Sequence, residues 1–346
     1  MRDHDRFSFV MFRVMLGCLL AVPMTAAAQD EHPRTPDGQP DLQGVWDFRT
    51  LTPLQRPEDQ ESAVLTAEEA AELDSQAAAR EVDAFAPSEV RNEPLPVGGN
   101  VGAYNQYWVD QGAAVVDDQR TSLITDPTDG RVPALRPGFE LVELSLGEDR
   151  PGTRPVRVRA AGIGADSYED RGLAERCLLG FNSGPPIVPA GYNQNVQIFQ
   201  TPTHVVILHE MVHDARVVPL DGRAHLPETL RQWMGDSRGY WDGDTLVVET
   251  KNFTDKTASF NPSVATGAGD GTTLHLTERF WRVSDDTLMY EFTVDDSVTF
   301  TQPFTAALPM KRGEGMYEYA CHEGNYGLLN ILAGARAAEV TAGSEQ

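Results

Sequence analysis

Tyr240-Trp241-Asp242-Gly243-Asp244-Thr245-Leu246-Val247-Val248 is the stretch whose reading decides the fold. An Asp-Gly pair set between two aromatics and a β-branched run signals a hairpin, because both residues tolerate the backbone conformations of a tight strand reversal. Asp285 and Asp286 do the same between residues 274–283 and 288–294. In the second of those runs Leu288, Tyr290, Phe292 and Val294 alternate with Met289, Glu291, Thr293 and Asp295, the two-residue period of a strand with one buried face. Short apolar runs at 196–200, 204–213, 216–220, 299–308 and 316–322 extend the series. The spacing predicts a mainly β fold: an antiparallel meander whose core is either barrel-like, with a lipocalin-like barrel as one form, or a sandwich.

Outside this core, residues 29–100 are rich in Pro, Asp, Glu and Ala and contain one helical stretch, 66–81, where Thr66 and Glu69 make a capping box. They are expected to form an extended, partly helical N-terminal arm laid over a β-rich core domain of residues 101–340. A further short helix is expected at 227–234. At the start, Arg2, Arg6 and Arg13 accompany an apolar run over 14–24 and the small residues Thr25-Ala26-Ala27-Ala28. That is the pattern of a secretory signal peptide over 1–28, cleaved near Ala28. The apolar run is well short of the roughly 20 residues that span a bilayer, and no later segment comes closer, so no membrane span is expected. Cys18 lies inside the apolar run ahead of a better cleavage site, which argues against a lipid anchor.

The chain carries 28 basic and 52 acidic residues, a formal charge of -24; removing 1–28 takes away three Arg and two Asp and leaves -25. Such a field repels nucleic acid and anionic membrane surfaces, so neither is expected as a partner. With Cys18 in the leader, only Cys177 and Cys321 remain. Export to the periplasm or medium places both in an oxidising compartment, and they are expected to pair. The bridge would be worth about 4 kcal/mol in the chain-entropy model.

Several blocks share a pattern. They are Pro36-Asp37-Gly38-Gln39-Pro40-Asp41-Leu42-Gln43-Gly44-Val45-Trp46, Tyr192-Asn193 and Pro219-Leu220-Asp221-Gly222-Arg223-Ala224-His225-Leu226-Pro227, followed by Arg231-Gln232-Trp233-Met234-Gly235-Asp236-Ser237-Arg238-Gly239, Asn252-Phe253-Thr254-Asp255-Lys256-Thr257 and Tyr317-Glu318-Tyr319-Ala320-Cys321-His322-Glu323-Gly324-Asn325-Tyr326. In these blocks, which span most of the mature chain, the sequence resembles a large family of uncharacterised secreted bacterial proteins. The resemblance implies export and no particular reaction.

His209-Glu210-Met211-Val212-His213 fits the zinc-protease pattern in which two His one helical turn apart hold the metal. That geometry needs a helix, and Val205-Val206-Ile207-Leu208 before it and Arg216-Val217-Val218 after it read as strands. On a strand the two His would stand about 13 Å apart, too far to share one metal. No serine nucleophile elbow, phosphate loop, dinucleotide fingerprint or CxxC occurs, so no cofactor is expected.

Two other clusters carry candidate chemistry. Asp214, Arg216, His225, Arg231, Asp236, Arg238 and Asn252 fall among Trp233, Tyr240 and Trp241, the mixture a small-molecule pocket uses, with aromatics for area and polar atoms for orientation. Tyr317, Tyr319, His322, Glu323, Asn325 and Tyr326 surround Cys321, which a bridge would hold near Arg176 and the Tyr192-Asn193 loop. The expected function is a pocket for a small, largely uncharged or cationic organic molecule. If it is catalytic, cofactor-free lyase or hydrolase chemistry is expected, with His225 or His322 as acid or base and Arg216 and Arg238 assisting. Tyr192, Asn193, Trp233, Tyr240, Asn252 and Tyr326 are the candidate substrate-binding residues. The alternatives are a non-catalytic carrier or interaction module, and a metal site built on His213, His225 and His322.

Overall fold

The computed structural model describes residues 32–84, 109–110, 112–144 and 155–344. The expected leader and the stretch 85–108 lie outside the described residues. In chain order the elements are β1 (Gly44–Asp47), α1 (Ala67–Ala84), β2 (Ile124–Asp126), β3 (Val142–Glu143), β4 (Asn195–Gln200), β5 (His204–His209), β6 (Ala215–Pro219), β7 (Asp236–Asp242) and β8 (Thr245–Lys251). They continue with β9 (Phe260–Ser263), β10 (Thr266–Ala268), β11 (His275–Arg282), β12 (Thr287–Asp295), β13 (Phe304–Arg312) and α2 (Tyr326–Ser344).

Both predicted hairpins form. β7 and β8 pair antiparallel from Asp236↔Lys251 to Asp242↔Thr245, and Gly243 opens the two-residue loop with φ 59°, a value its missing Cβ makes inexpensive. On β12, Leu288, Tyr290, Phe292 and Val294 are all buried, the face the alternation assigned to the core. A nearly closed, barrel-like antiparallel sheet results, in the order β6-β5-β4-β1-β13-β12-β11-β8-β7, with β2 paired to β13. Trp46, Ile198, Ile207, Val218, Leu246, Phe280, Tyr290 and Leu308 meet in one apolar core. A second, three-stranded sheet, β3-β10-β9, packs its own small cluster of Leu144, Val156, Val158, Ala161 and Ile163.

The barrel is not closed by a ladder: β6 and β7 are the two ends of the strand path. They approach through side chains. A methyl group added at Gly239 of β7 would lie 2.8 Å from Val218 and Leu220, so glycine is what lets β7 come this close. Across the interior, the buried Arg216 of β6 forms a two-pronged ion pair with the buried Glu278 of β11. Glu278 also accepts from the Tyr290 hydroxyl at 2.8 Å, and that hydroxyl accepts from the Ile187 amide at 3.0 Å. Burial works against the Arg216 charge, but Glu278 more than restores it and holds the guanidinium above its usual value.

Several expectations need correction. Residues 44–47 are not an arm over the core: β1 lies inside the sheet, hydrogen-bonded to β4 and β13, with the buried Trp46 between the Arg282 and Arg312 guanidinium groups at 5.1 and 5.2 Å. Residues 227–234 form turns instead of a helix, because the Gln232 amide bonds to the Asn252 carbonyl and the Thr254 amide to the Gln232 carbonyl. Residues 316–322 form no strand, and β5 ends at His209. α2 is a nineteen-residue helix with no buried residue, longer than the short helices expected.

Cys177 and Cys321 form the expected disulfide, 144 residues apart in sequence, a separation worth about 5 kcal/mol in the chain-entropy model. The bridge holds residues 317–325 on the loop before β4, helped by the Asn325 amide donating to the Glu175 carbonyl at 2.8 Å. The Thr66–Glu69 capping box also forms, at 2.7 and 3.2 Å.

Breaking the Arg216–Glu278 pair from one side should cost more than removing it altogether. Glu278→Leu leaves a buried cation and is expected to lose about 3–5 kcal/mol of unfolding free energy, while Arg216→Met with Glu278→Leu recovers most of it. Urea unfolding of both variants measures this, and a double variant no more stable than the single one would contradict it.

Candidate functional site

The β5–β6 connection is tight and strained. Glu210 to Asp214 reverse the chain with Val212 at φ 62° and His213 at φ 45°, two successive non-glycine residues in a region that costs of order 1 kcal/mol or more each. Three contacts hold the turn. The buried Glu210 carboxylate accepts from the Asn195 side chain and the Tyr317 amide, each at 2.7 Å. Met211 and Val212 pack on the disulfide with Phe181, Tyr192 and Tyr319. His213 Nδ1 lies 3.0 Å from the Tyr319 carbonyl. The disulfide-anchored segment therefore fixes the backbone that presents Asp214.

Asp214 stands at the mouth of the seam. With Arg216, Arg231, Trp233 and Asp236 it lines a cavity of about 600 Å³ between the starts of β6 and β7. Burial raises its carboxyl to about 6, against the opposing pull of Arg159, His213, His322 and the Ser183 hydroxyl. One carboxylate oxygen, Oδ2, is buried without a protein partner. A carboxyl that titrates near neutrality in a cleft is the kind of group acid/base chemistry uses.

Trp233 also lines a second cavity of about 370 Å³, whose walls include Arg159, Asn182, Ser183, Phe253 and Phe260. Trp233 is thus shared by the two spaces, with the Arg176 guanidinium 6.0 Å from its ring. Ser183 lines the smaller cavity; its hydroxyl accepts from the Gly180 amide at 2.5 Å and lies near enough to Asp214 to favour the ionised carboxylate. Burial draws the Arg159 guanidinium down to about 10, with Asp214 opposing, so it is charged at neutral pH.

The sequence-predicted residues divide between these spaces and other roles. Arg216 and Trp233 line the seam cavity, although the Arg216 guanidinium is committed to Glu278. His322, exposed, is one of the charges felt by Asp214. His225, Arg238 and Asn252 build a loop support instead. Asp236 accepts from Arg238 at 2.6 Å, from the Leu226 amide at 2.8 Å and pairs with His225 Nδ1 at 2.9 Å, while Asn252 donates to the Leu226 carbonyl at 2.8 Å. His225 Nε2 is buried without a partner, and neither cavity is lined by His225. Tyr192 packs edge-on against Phe181 at 5.8 Å, and Asn193 lines a separate groove beside Cys321. Tyr240 and Tyr326 are exposed and line neither seam cavity. Among the described residues no three His, Cys, Asp or Glu side chains are placed to hold a metal ion, so His213, His225 and His322 share no site. Arg159, Ser183 and Asn182 lie in loops without periodicity and escaped the sequence reading.

No protein-family model matches this sequence, and no curated protein matches it significantly.

His209, the first residue of the HExxH pattern, points a different way from a metal ligand. It is 1 % exposed, neither ring nitrogen has a protein partner, and burial, with Arg216 and Arg159 nearby, holds its pKa at about 3. The folded chain therefore keeps His209 neutral, while the unfolded chain protonates it below about 6.5. Stability present above pH 6.5 is lost as pH falls toward 3, by about 3 kcal/mol at pH 4.5. Asp214 acts with the opposite sign between its ordinary 3.8 and about 6, equally in wild type and a His209 variant. Urea unfolding at pH 7 and 4.5 should show His209→Leu losing about 3 kcal/mol less than wild type on acidification; equal losses would contradict the assignment.

Proposed function

We propose that this chain is an exported protein, of the secreted bacterial family it resembles, that takes up a small organic molecule at the β6–β7 seam and acts on it by cofactor-free acid/base chemistry of the lyase or hydrolase kind. Export is supported by the disulfide, which suits an oxidising compartment, and is compatible with the described residues containing no helix long and apolar enough to cross a membrane. The observation that carries the chemical reading is Asp214: a carboxyl raised to about 6, on a cavity wall, with one oxygen unpartnered. Ionised, it accepts a proton from a bound molecule or water, directly or through Ser183; protonated, it returns one to a leaving group. Trp233 supplies apolar contact area, and His213 and His322 stabilise the ionised state.

The carrier reading is favoured by one specific feature. Among the described residues the smaller cavity has Arg159 as its only ionisable lining residue, so it can hold a molecule without supplying a proton.

Two probes separate the readings: p-nitrophenyl acetate for hydrolysis, and 3-hydroxy-3-phenylpropionate, whose loss of water gives cinnamate. The enzyme reading expects turnover of at least one, a rate rising through pH 6 as Asp214 ionises, and a kcat lowered about 100-fold or more in Asp214→Asn with the melting temperature retained. Binding without turnover, indifferent to Asp214→Asn, is the result that establishes the carrier instead.

A further inference from the structure

The formal charge of the chain is -24, which would lead one to expect a pocket for a cation. The smaller cavity, which shares Trp233 with the seam cavity, is built the other way. Among the described residues no carboxylate lines it, and the one ionisable lining residue is Arg159. Among the described residues the only hydrogen-bond acceptor engaged by that guanidinium is the Gly180 carbonyl, at 3.3 Å. A guanidinium presents five donors in a planar fork matched to a carboxylate, so most of its capacity is uncommitted. Arg176, 6.0 Å from the shared Trp233 ring, does not line the cavity.

The remaining walls describe the body of the ligand. Trp233, Phe253 and Phe260 give flat apolar surface, and Ser183 and Asn261 give neutral polar atoms. The Asn182 side-chain oxygen is buried and without a partner, while its nitrogen donates to the Tyr192 and Asn193 carbonyls at 2.9 and 3.2 Å. That fixed acceptor suits a hydroxyl or amide N–H on the bound molecule. The cavity, about 370 Å³, is at the small end of ligand sites.

We infer that this cavity binds a small aromatic monocarboxylate, its carboxylate on Arg159 and its ring against Trp233, Phe253 and Phe260. A single lining guanidinium compensates one negative charge, so a monoanion fits better than a phosphate dianion. The inference rests on the seam being a small-molecule site, as proposed above.

The test is isothermal titration of the full mature chain with four probes of one shape: benzoate, benzamide, benzylamine and phenyl phosphate. Benzoate is expected to bind at least ten times more tightly than any of the others. Arg159→Gln should abolish that preference while retaining weak benzamide binding, which shows that the cavity is still formed. Arg159→Lys, which keeps the charge but not the fork, should retain part of the preference. Benzamide or benzylamine binding as well as benzoate overturns the anion assignment and leaves the pocket standing; phenyl phosphate binding more tightly overturns the monocarboxylate class. Failure of all four to bind overturns the pocket itself.

Discussion

The interior pair of Arg216 and Glu278 is the constraint from which the rest of the structure follows. Nine strands run round the barrel path, but its ends, β6 and β7, are not hydrogen-bonded to one another. An unpaired β6 edge would be free to peel away. Arg216 ties it to β11 across the core, and Tyr290 completes the network by donating to the same carboxylate. Packing at Gly239 then brings β7 against Val218 and Leu220. The barrel is held together at the seam without being sealed there, and the opening that is left is the cavity between the starts of β6 and β7.

Charge is distributed accordingly. The acidic surface gives the chain its strong negative field, yet the two cavities that share Trp233 place Arg159 in one and Arg216 and Arg231 beside Asp214 and Asp236 in the other. At Asp214 burial prevails over the opposing pull of Arg159, His213 and His322, lifting its carboxyl to about 6. The position depends on a strained turn, which depends in turn on the disulfide and on the segment that Cys321 pins over it. Cys177 and Cys321 are thus part of the site's support as well as of the fold's stability.

Much of the barrel was legible in the sequence. The alternation over β12 and the turn residues of the two hairpins are local signals, and local backbone preferences agree with the tertiary structure at those places. The disulfide was legible because only two cysteines remained beyond the expected leader. What was not legible depends on contacts between distant segments. β1 carries no alternation long enough to show that it would be inserted into the sheet. Residues 227–234 have a helix-like pattern, but backbone bonds between Gln232 and residues 252–254 override it. α2 has no amphipathic stripe and buries nothing. At the site, Trp233 and Asp214 stood out by the company they keep in sequence. Arg159 and Ser183 did not, since they reach Asp214 only through loops folded by the bridge, and His225 and Arg238, which did stand out, are taken up by Asp236.

The central claim is that a seam in an otherwise continuous barrel holds Asp214 partly dehydrated and poised near neutrality. Its most direct test is the titration of the Asp214 side-chain carboxyl carbon by NMR, with Asp214→Asn as the assignment control. The account predicts a midpoint near 6. A midpoint near the ordinary aspartate value of about 4 would mean that the carboxyl is fully hydrated, and would contradict both the seam as a dry site and the chemistry assigned to it.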